Sequence, residues 1–296
     1  MHGRMIGVHM PTSKKPRKKT AAKKKTADNV IAFPPEPRGM EGMMASMFGS
    51  RNSSPLGRAQ ELMYDAWETA SPKQRIKLAK QAIEVSPLCA DAYNLLAEES
   101  ATTLDETIAL YHKAVAAGEA AIGPEDFKEF AGHFWGFHET RPYMRARHGL
   151  GEALWAAGDK EGAINNFNEM LELNPSDNQG IRYVLAAKLL DSGRTNELKK
   201  LLKTYEDDYS ADIQYTRALI AFSEGAKTAN EIAKQALDTN KHVPAILSGK
   251  KKRTPPGDYI TMGGEDEASG YVEIFGRAWK KTPGAIEWLC KVKASL

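Results

Sequence analysis

Two cysteines, Cys89 and Cys290, are all that the 296 residues contain, and they lie far apart in segments of helical pattern. That is neither a disulfide framework nor a zinc-ligand spacing, so a reducing compartment fits and structural zinc does not. No stretch approaches the roughly 18 to 20 apolar residues that a membrane helix needs, and the N-terminal segment has no apolar core of a signal peptide. A cytoplasmic protein without a membrane span is expected. Equally absent is any run of alternating β-branched residues that would make a strand. The sequence also lacks a Ser-His-Asp order, a paired-carboxylate motif and a Gly-rich phosphate loop, so it offers no footing for an enzyme or for a cofactor.

What is present divides by charge. The net charge is +3, but residues 1–29 hold nine of the 41 Lys and Arg and one of the 38 acids, which gives +8 there and leaves −5 for the rest. A mildly acidic body with a separate cationic arm argues against a nucleic-acid groove spread over the fold. The arm itself, densest over residues 14–25, is suited either to solvated disorder or to weak contact with nucleic acid or an acidic protein. Residues 1–54 have the composition of a disordered, basic and Met-rich segment; Met40, Met43, Met44 and Met47 alone recur at a helical period.

Beyond Pro55 the pattern is long amphipathic helices separated by small breakers, so the body is expected to be all-α. Leu56–Thr69 with Pro72–Val85, and Cys89–Ser100 with Leu104–Ala117, read as two helical hairpins, with Gly118 taken as the stop of the second. An extra helix over 124–138 follows, opening on Pro124, Glu125 and Asp126 as a first turn should. Six of the chain's 24 aromatic residues lie between Phe127 and Tyr143, which predicts a deeply packed helix. Gly132 and Gly136, one turn apart on it, imply close approach by another backbone or a ligand.

A repeat becomes legible from Tyr143 to Ser176. In a 34-residue frame that begins at Met144, Leu150 and Gly151 occupy the close-packed seventh and eighth positions, Gly158 the turn, Ala163 the twentieth, Phe167 the twenty-fourth and Pro175 the thirty-second. Arg147 and Met170 depart from that pattern. A following frame starts near Gln179, and a weaker pair of helices covers 213–224 and 226–239. Prolines and a charge run then break the array over 243–263. Residues 264–296 read as two Trp-bearing helices, Glu265–Lys281 and Pro283–Val292, that cap the open end. The expected architecture is an all-α tetratricopeptide-like α-solenoid over 55–242 with that C-terminal helical cap.

These frames resemble the tetratricopeptide family over most of 56–240. More narrowly, GHFWGFHETRPYMRAR followed by GEALWAAGDKEGAINNFNEMLELNPSDNQGIRYVL is similar to a block of the suppressor-of-tumorigenicity-seven proteins and their soluble bacterial relatives, and GDYITMGGEDEASGYVEIFGRAWKKTPGAIEWL is similar to the tail of those relatives. The animal members carry membrane segments that this sequence lacks, so their topology does not transfer. The bacterial resemblance implies an adaptor, not a reaction.

Candidate site residues gather in the same block. Arg141, Arg145, Arg147 and Arg182 have the bidentate geometry to hold an acidic peptide, a peptide C-terminus or a phosphate. The competing reading is an internal ion network with Glu139, Glu152 or Asp177. It gains weight because Arg147 and Arg182 replace inward apolar residues and must be paired if buried. The carboxylate clamp of some tetratricopeptide proteins needs Lys and Asn where this chain has His148 and Glu152. His133 and His138, five residues apart on a helix, point about 140° apart and suit no shared metal ion. Asp177, Asn178 and Gln179 read as caps of the helix near Gly180. The expected function is a non-enzymatic adaptor that takes a protein segment in the groove lined by the first helices of its hairpins. Arg141, Arg145, His148, Glu152, Trp155, Arg182 and Tyr183 are its candidate contacts, and a nucleic-acid-associated protein anchored by the arm is the alternative.

Overall fold

A computed structural model describes residues 54–255 and 260–296. The basic run 14–25 and the methionines at 40–47, on which the arm readings rest, lie outside them. Among the described residues there are fourteen α-helices, one 3₁₀ turn and no strand, so the body is all-α as its periodicity indicated.

Local signals place the helices. Ser54 and Ser71 cap α1 (Pro55–Glu68) and α2 (Pro72–Val85), each followed by a proline whose missing N–H costs nothing in a first turn. After α3 (Ala90–Glu99), Thr103 and Glu106 form a reciprocal capping box that opens α4 (Leu104–Ile122). Next come the short α5 (Pro124–Phe130), the 3₁₀ turn Phe134–Gly136, and α6 (Arg141–Ala157) with α7 (Lys160–Leu173). Helices α8 (Ile181–Asp191), α9 (Thr195–Thr204), α10 (Ala211–Ser223) and α11 (Ala229–Thr239) continue the series, and α12 (Val243–Leu247), α13 (Glu265–Lys281) and α14 (Ala285–Ala294) end it.

The pairs α1/α2, α3/α4, α6/α7, α8/α9 and α10/α11 each pack as a hairpin, and each hairpin packs on the next. Small residues set their spacing. A Cβ on Gly151 would come within 2.6 Å of the Phe167 ring, so α6 and α7 approach only because that atom is missing. Gly118 works in the same way and does not stop its helix: α4 runs on to Ile122, and a Cβ at 118 would stand 2.9 Å from the Tyr143 Cβ of α6.

The extra segment also differs from expectation. It is not one helix over 124–138, because Gly132 takes φ +92 and breaks the chain after α5. Neither Gly132 nor Gly136 has another atom within 4 Å of where a Cβ would stand, so no close approach explains them. The aromatic packing is divided. Phe134 is fully buried against Phe127 and Tyr143, whereas Phe137 stacks on Phe130 and keeps an exposed edge. The segment is tied to the end of α7 by Gly132 N–H donating to Leu173 O (2.9 Å) and Trp135 N–H donating to Asn174 Oδ1 (3.3 Å).

Within 243–263, expected as a linker loop, Val243–Leu247 is a short helix with Val243, Ile246 and Leu247 buried. The two C-terminal helices reach further than the end of the array: α13 packs on both α8 and α10, and α14 packs on α10, α11 and α12. One apolar core, running from Ile122 to Val292, unites these elements.

Candidate functional site

The arginine block resolves into separate interior pairings. On α6, Arg145 holds Asp91 of α3 with two hydrogen bonds, Nε to Oδ1 at 2.9 Å and Nη2 to Oδ2 at 2.7 Å. Asp91 is fully buried and also accepts from Gln60 of α1 at 3.0 Å, while the guanidinium lies over the Trp67 ring. One polar ladder therefore crosses the first helices of three successive hairpins. Arg147 turns the other way, into its own hairpin: Nε donates to Asn166 Oδ1 (2.6 Å), Nη1 to Tyr143 Oη (2.7 Å), and Asn166 Nδ2 returns a bond to Arg147 O (2.7 Å). Its remaining partner is Glu169. Arg141 donates to Trp135 O at 3.1 Å with its guanidinium above that ring.

Glu152 and Trp155, placed in the groove by their sequence positions, are both buried. Glu152 Oε2 accepts from Lys188 of α8 at 3.0 Å, and Lys188 and Lys160 both lie over the Trp155 ring. Burial pushes the Glu152 carboxyl up and the Lys188 amine down, each toward its neutral form, while their mutual attraction opposes both shifts. Glu152 Oε1 is buried without a hydrogen-bond donor. His148 is half-buried beside Phe167.

The polar corner is a third closed network. Asp177, at φ +50, accepts from the N–H groups of Ile181 (2.7 Å) and Arg182 (2.9 Å), and so caps α8 from a left-handed conformation that aspartate tolerates. Arg182 bonds Asp177 (2.9 Å) and Asp208 (2.6 Å), and Tyr183 donates to the same Asp208 oxygen (2.8 Å). Burial acts against the Asp208 charge, yet the donors Ser210, Arg182 and Tyr183 hold its carboxyl below the usual range. Burial pushes the Tyr183 phenol up to about 12.

The structure thus brings Arg182 and Tyr183 together, and joins Arg145 and Glu152 to partners on α3 and α8. It does not join the seven candidate contacts into one open surface. Of that set, His148, Tyr183, Arg141 and Arg182 keep part of their surface exposed.

Part of the first-helix face already has an occupant. Helix α13 lies across α8 and α10 with Tyr271, Phe275 and Trp279 buried beneath it, and Trp279 Nε1–H donates to Tyr271 Oη at 2.6 Å. Its Glu267 caps α10 from outside: Oε1 accepts from Ala211 N–H (2.9 Å), and Oε2 accepts from Asn240 Nδ2 (2.9 Å) and Gly263 N–H (2.7 Å). Nearby, burial and the adjacent Glu267 carboxylate push the Asp212 carboxyl up to about 7. Sequence reasoning missed Asp91, Lys188, Asp208 and Glu267. The available signal was an ionisable residue inside an apolar helical stripe, as Lys188 is among Val184, Leu185 and Leu189.

Residues 46–131 match the family model described as ST7 protein. The suppressor of tumorigenicity 7 protein-like of Rattus norvegicus is 29% identical over 263 residues, and that of Danio rerio is 30% identical over 261; each alignment covers 79% of this chain. The chain is similar to the ST7 proteins. A Drosophila melanogaster ST7 homolog, 28% identical over 254 residues, covers 77% of the chain. The chain spans about half the length of these relatives: 46%, 45% and 47% respectively. The ST7 family match ends at Ala131, so it takes in α1 to α5 and stops short of the arginine block, which the pairwise likeness to ST7 proteins has to carry. Among the described residues no helix is long and apolar enough to cross a membrane, and no group of His, Cys, Asp and Glu is placed to hold a metal ion.

Proposed function

We propose that this chain is a cytoplasmic, non-enzymatic interaction scaffold of tetratricopeptide-like hairpins, which takes a segment of a partner protein on the face made by the first helices. The observation that carries the reading is α13. An amphipathic helix of this chain lies across α8 and α10, which supports a face shaped to receive helices. The hairpin order and the glycine and alanine spacers at Gly151 and Ala163 support the repeat reading. Because α13 fills the α8 and α10 portion, the partner lies beside it, toward α6, where Arg141 and His148 are the half-buried members of the candidate set. Arg145 and Arg147 serve this function by fixing helix positions and do not touch the partner.

A photo-crosslinking residue in place of His148, compared with one in place of the exposed Lys227, tests this in extracts of the native host. The reading expects a discrete protein adduct at 148 that is absent at 227 and survives removal of residues 1–29. Identical adducts at both positions would refute it. So would capture that disappears with the arm and falls steeply with salt, a result that would point to the arm as the anchor.

A further inference from the structure

Four large apolar side chains in the described residues are far more exposed than any others: Tyr209 (70%), Leu296 (70%), Ile260 (66%) and Met262 (64%), the rest lying below 40%. They are not scattered. Tyr209 and Met262 line one open groove of about 750 Å³ between the α9–α10 connection, α10, α11 and the loop before α13, and Ile260 leads directly into that loop. Leu296 lines a second groove, which shares Asp238, Thr239 and Gly263 with the first. Clustered exposed apolar groups of this kind mark interaction surfaces, whereas isolated ones do not.

The charges in the groove say what kind of partner fits. Glu206 and Asp238 stand in the first groove, and no cation answers either carboxylate among the described residues. The one cation there, Arg217, is already engaged: its guanidinium donates to Leu202 O at 2.6 Å and Glu206 O at 3.2 Å, closing the end of α9. The first groove therefore sets two exposed apolar side chains, Tyr209 and Met262, beside two carboxylates that no cation pairs with among the described residues, whereas the adjoining groove carries Lys241 and Lys293. An aromatic and a methionine supply adaptable contact area, and the two carboxylates supply the preference for charge.

We propose that this groove docks a short protein segment carrying bulky apolar side chains flanked by Lys or Arg. The inference rests on the scaffold reading but uses a different set of residues from those next to His148.

Three fluorescein-labelled peptides titrated into the full chain by anisotropy test it: a Leu-Phe-Leu centre with two Lys at each end, the same centre with Glu at each end, and a Ser-Gly-Ser centre with the Lys ends. The first should bind at least about tenfold more tightly than either control. Met262→Glu and the pair Glu206→Lys with Asp238→Lys should each weaken it by about tenfold or more, and His148→Ala should leave it unchanged. Equal binding of the Ser-Gly-Ser peptide, no effect of the groove substitutions, or no binding of the first peptide would each overturn the proposal. None of those outcomes would touch an adduct captured at residue 148, so the two readings fail separately.

Discussion

Replacing Asp91 by alanine should destabilise the chain by about 3–5 kcal/mol, because it removes the carboxylate that pairs with a buried guanidinium. The structure sets that size. Both partners are nearly or fully buried, and the pair is bidentate at 2.9 and 2.7 Å. Gln60 would lose its acceptor as well. Arg145→Met should cost a similar amount by leaving the buried Asp91 carboxylate without its guanidinium. The double variant Asp91→Ala with Arg145→Met removes both charges and should recover most of the loss, so its cost falls well below the sum of the two singles. Urea unfolding followed by far-UV circular dichroism measures all four species. Single variants that cost less than about 1 kcal/mol, or a double whose loss equals the sum, would show that Arg145 is not held by Asp91 and would return it to the pool of partner contacts.

Other outcomes follow from the same reasoning. Gly118→Ala and Gly151→Ala should each cost about 1–3 kcal/mol in thermal or urea unfolding, since their new Cβ atoms would meet Tyr143 at 2.9 Å and Phe167 at 2.6 Å; Gly136→Ala, with open space around it, should not destabilise. The Asp212 carboxyl, raised by burial and by Glu267, is neutral in the folded state where an unfolded aspartate is charged. Its contribution is therefore full below about pH 4 and is lost as pH rises through about 7, a change of about 1–3 kcal/mol after allowance for its partial exposure. Asp212→Asn should flatten that part of the pH profile in urea unfolding. Lys188→Met alone should destabilise by leaving Glu152 buried without its cation, and Glu152→Leu added to it should restore stability.

Much of the helical plan could be read from the residues, because each helix carries its own start, stripe and stop. Pro72–Val85 and Glu265–Lys281 have the bounds that capping and periodicity imply. What depends on two distant residues could not be read that way. Gly118 looks like a terminator by itself and becomes a spacer only when Tyr143 of α6 lies against it. The break at Gly132 is a matter of backbone sign, and an aromatic stripe at helical spacing gives no hint of it. The arginines at inward positions announced that they needed partners, but Asp91 lies 54 residues before Arg145, and nothing local selects it over Glu139 or Glu152. Helix α13 was legible as amphipathic, while its destination across α8 and α10 was set by the shape of that face. The open groove beside Tyr209 and Met262 left no periodic signal, since exposed apolar residues in loops look the same whether or not they meet.

Hydrogen exchange of the full chain tests the central claim most directly: α13 is a built-in occupant of the first-helix face, so partners must bind beside it. The account predicts that amides of 265–281 exchange at rates close to those of α8 and α10, as one cooperative unit. Exchange of 265–281 faster by about a hundredfold or more, with α8 and α10 still protected, would mean that the helix leaves the face on its own and would contradict the account.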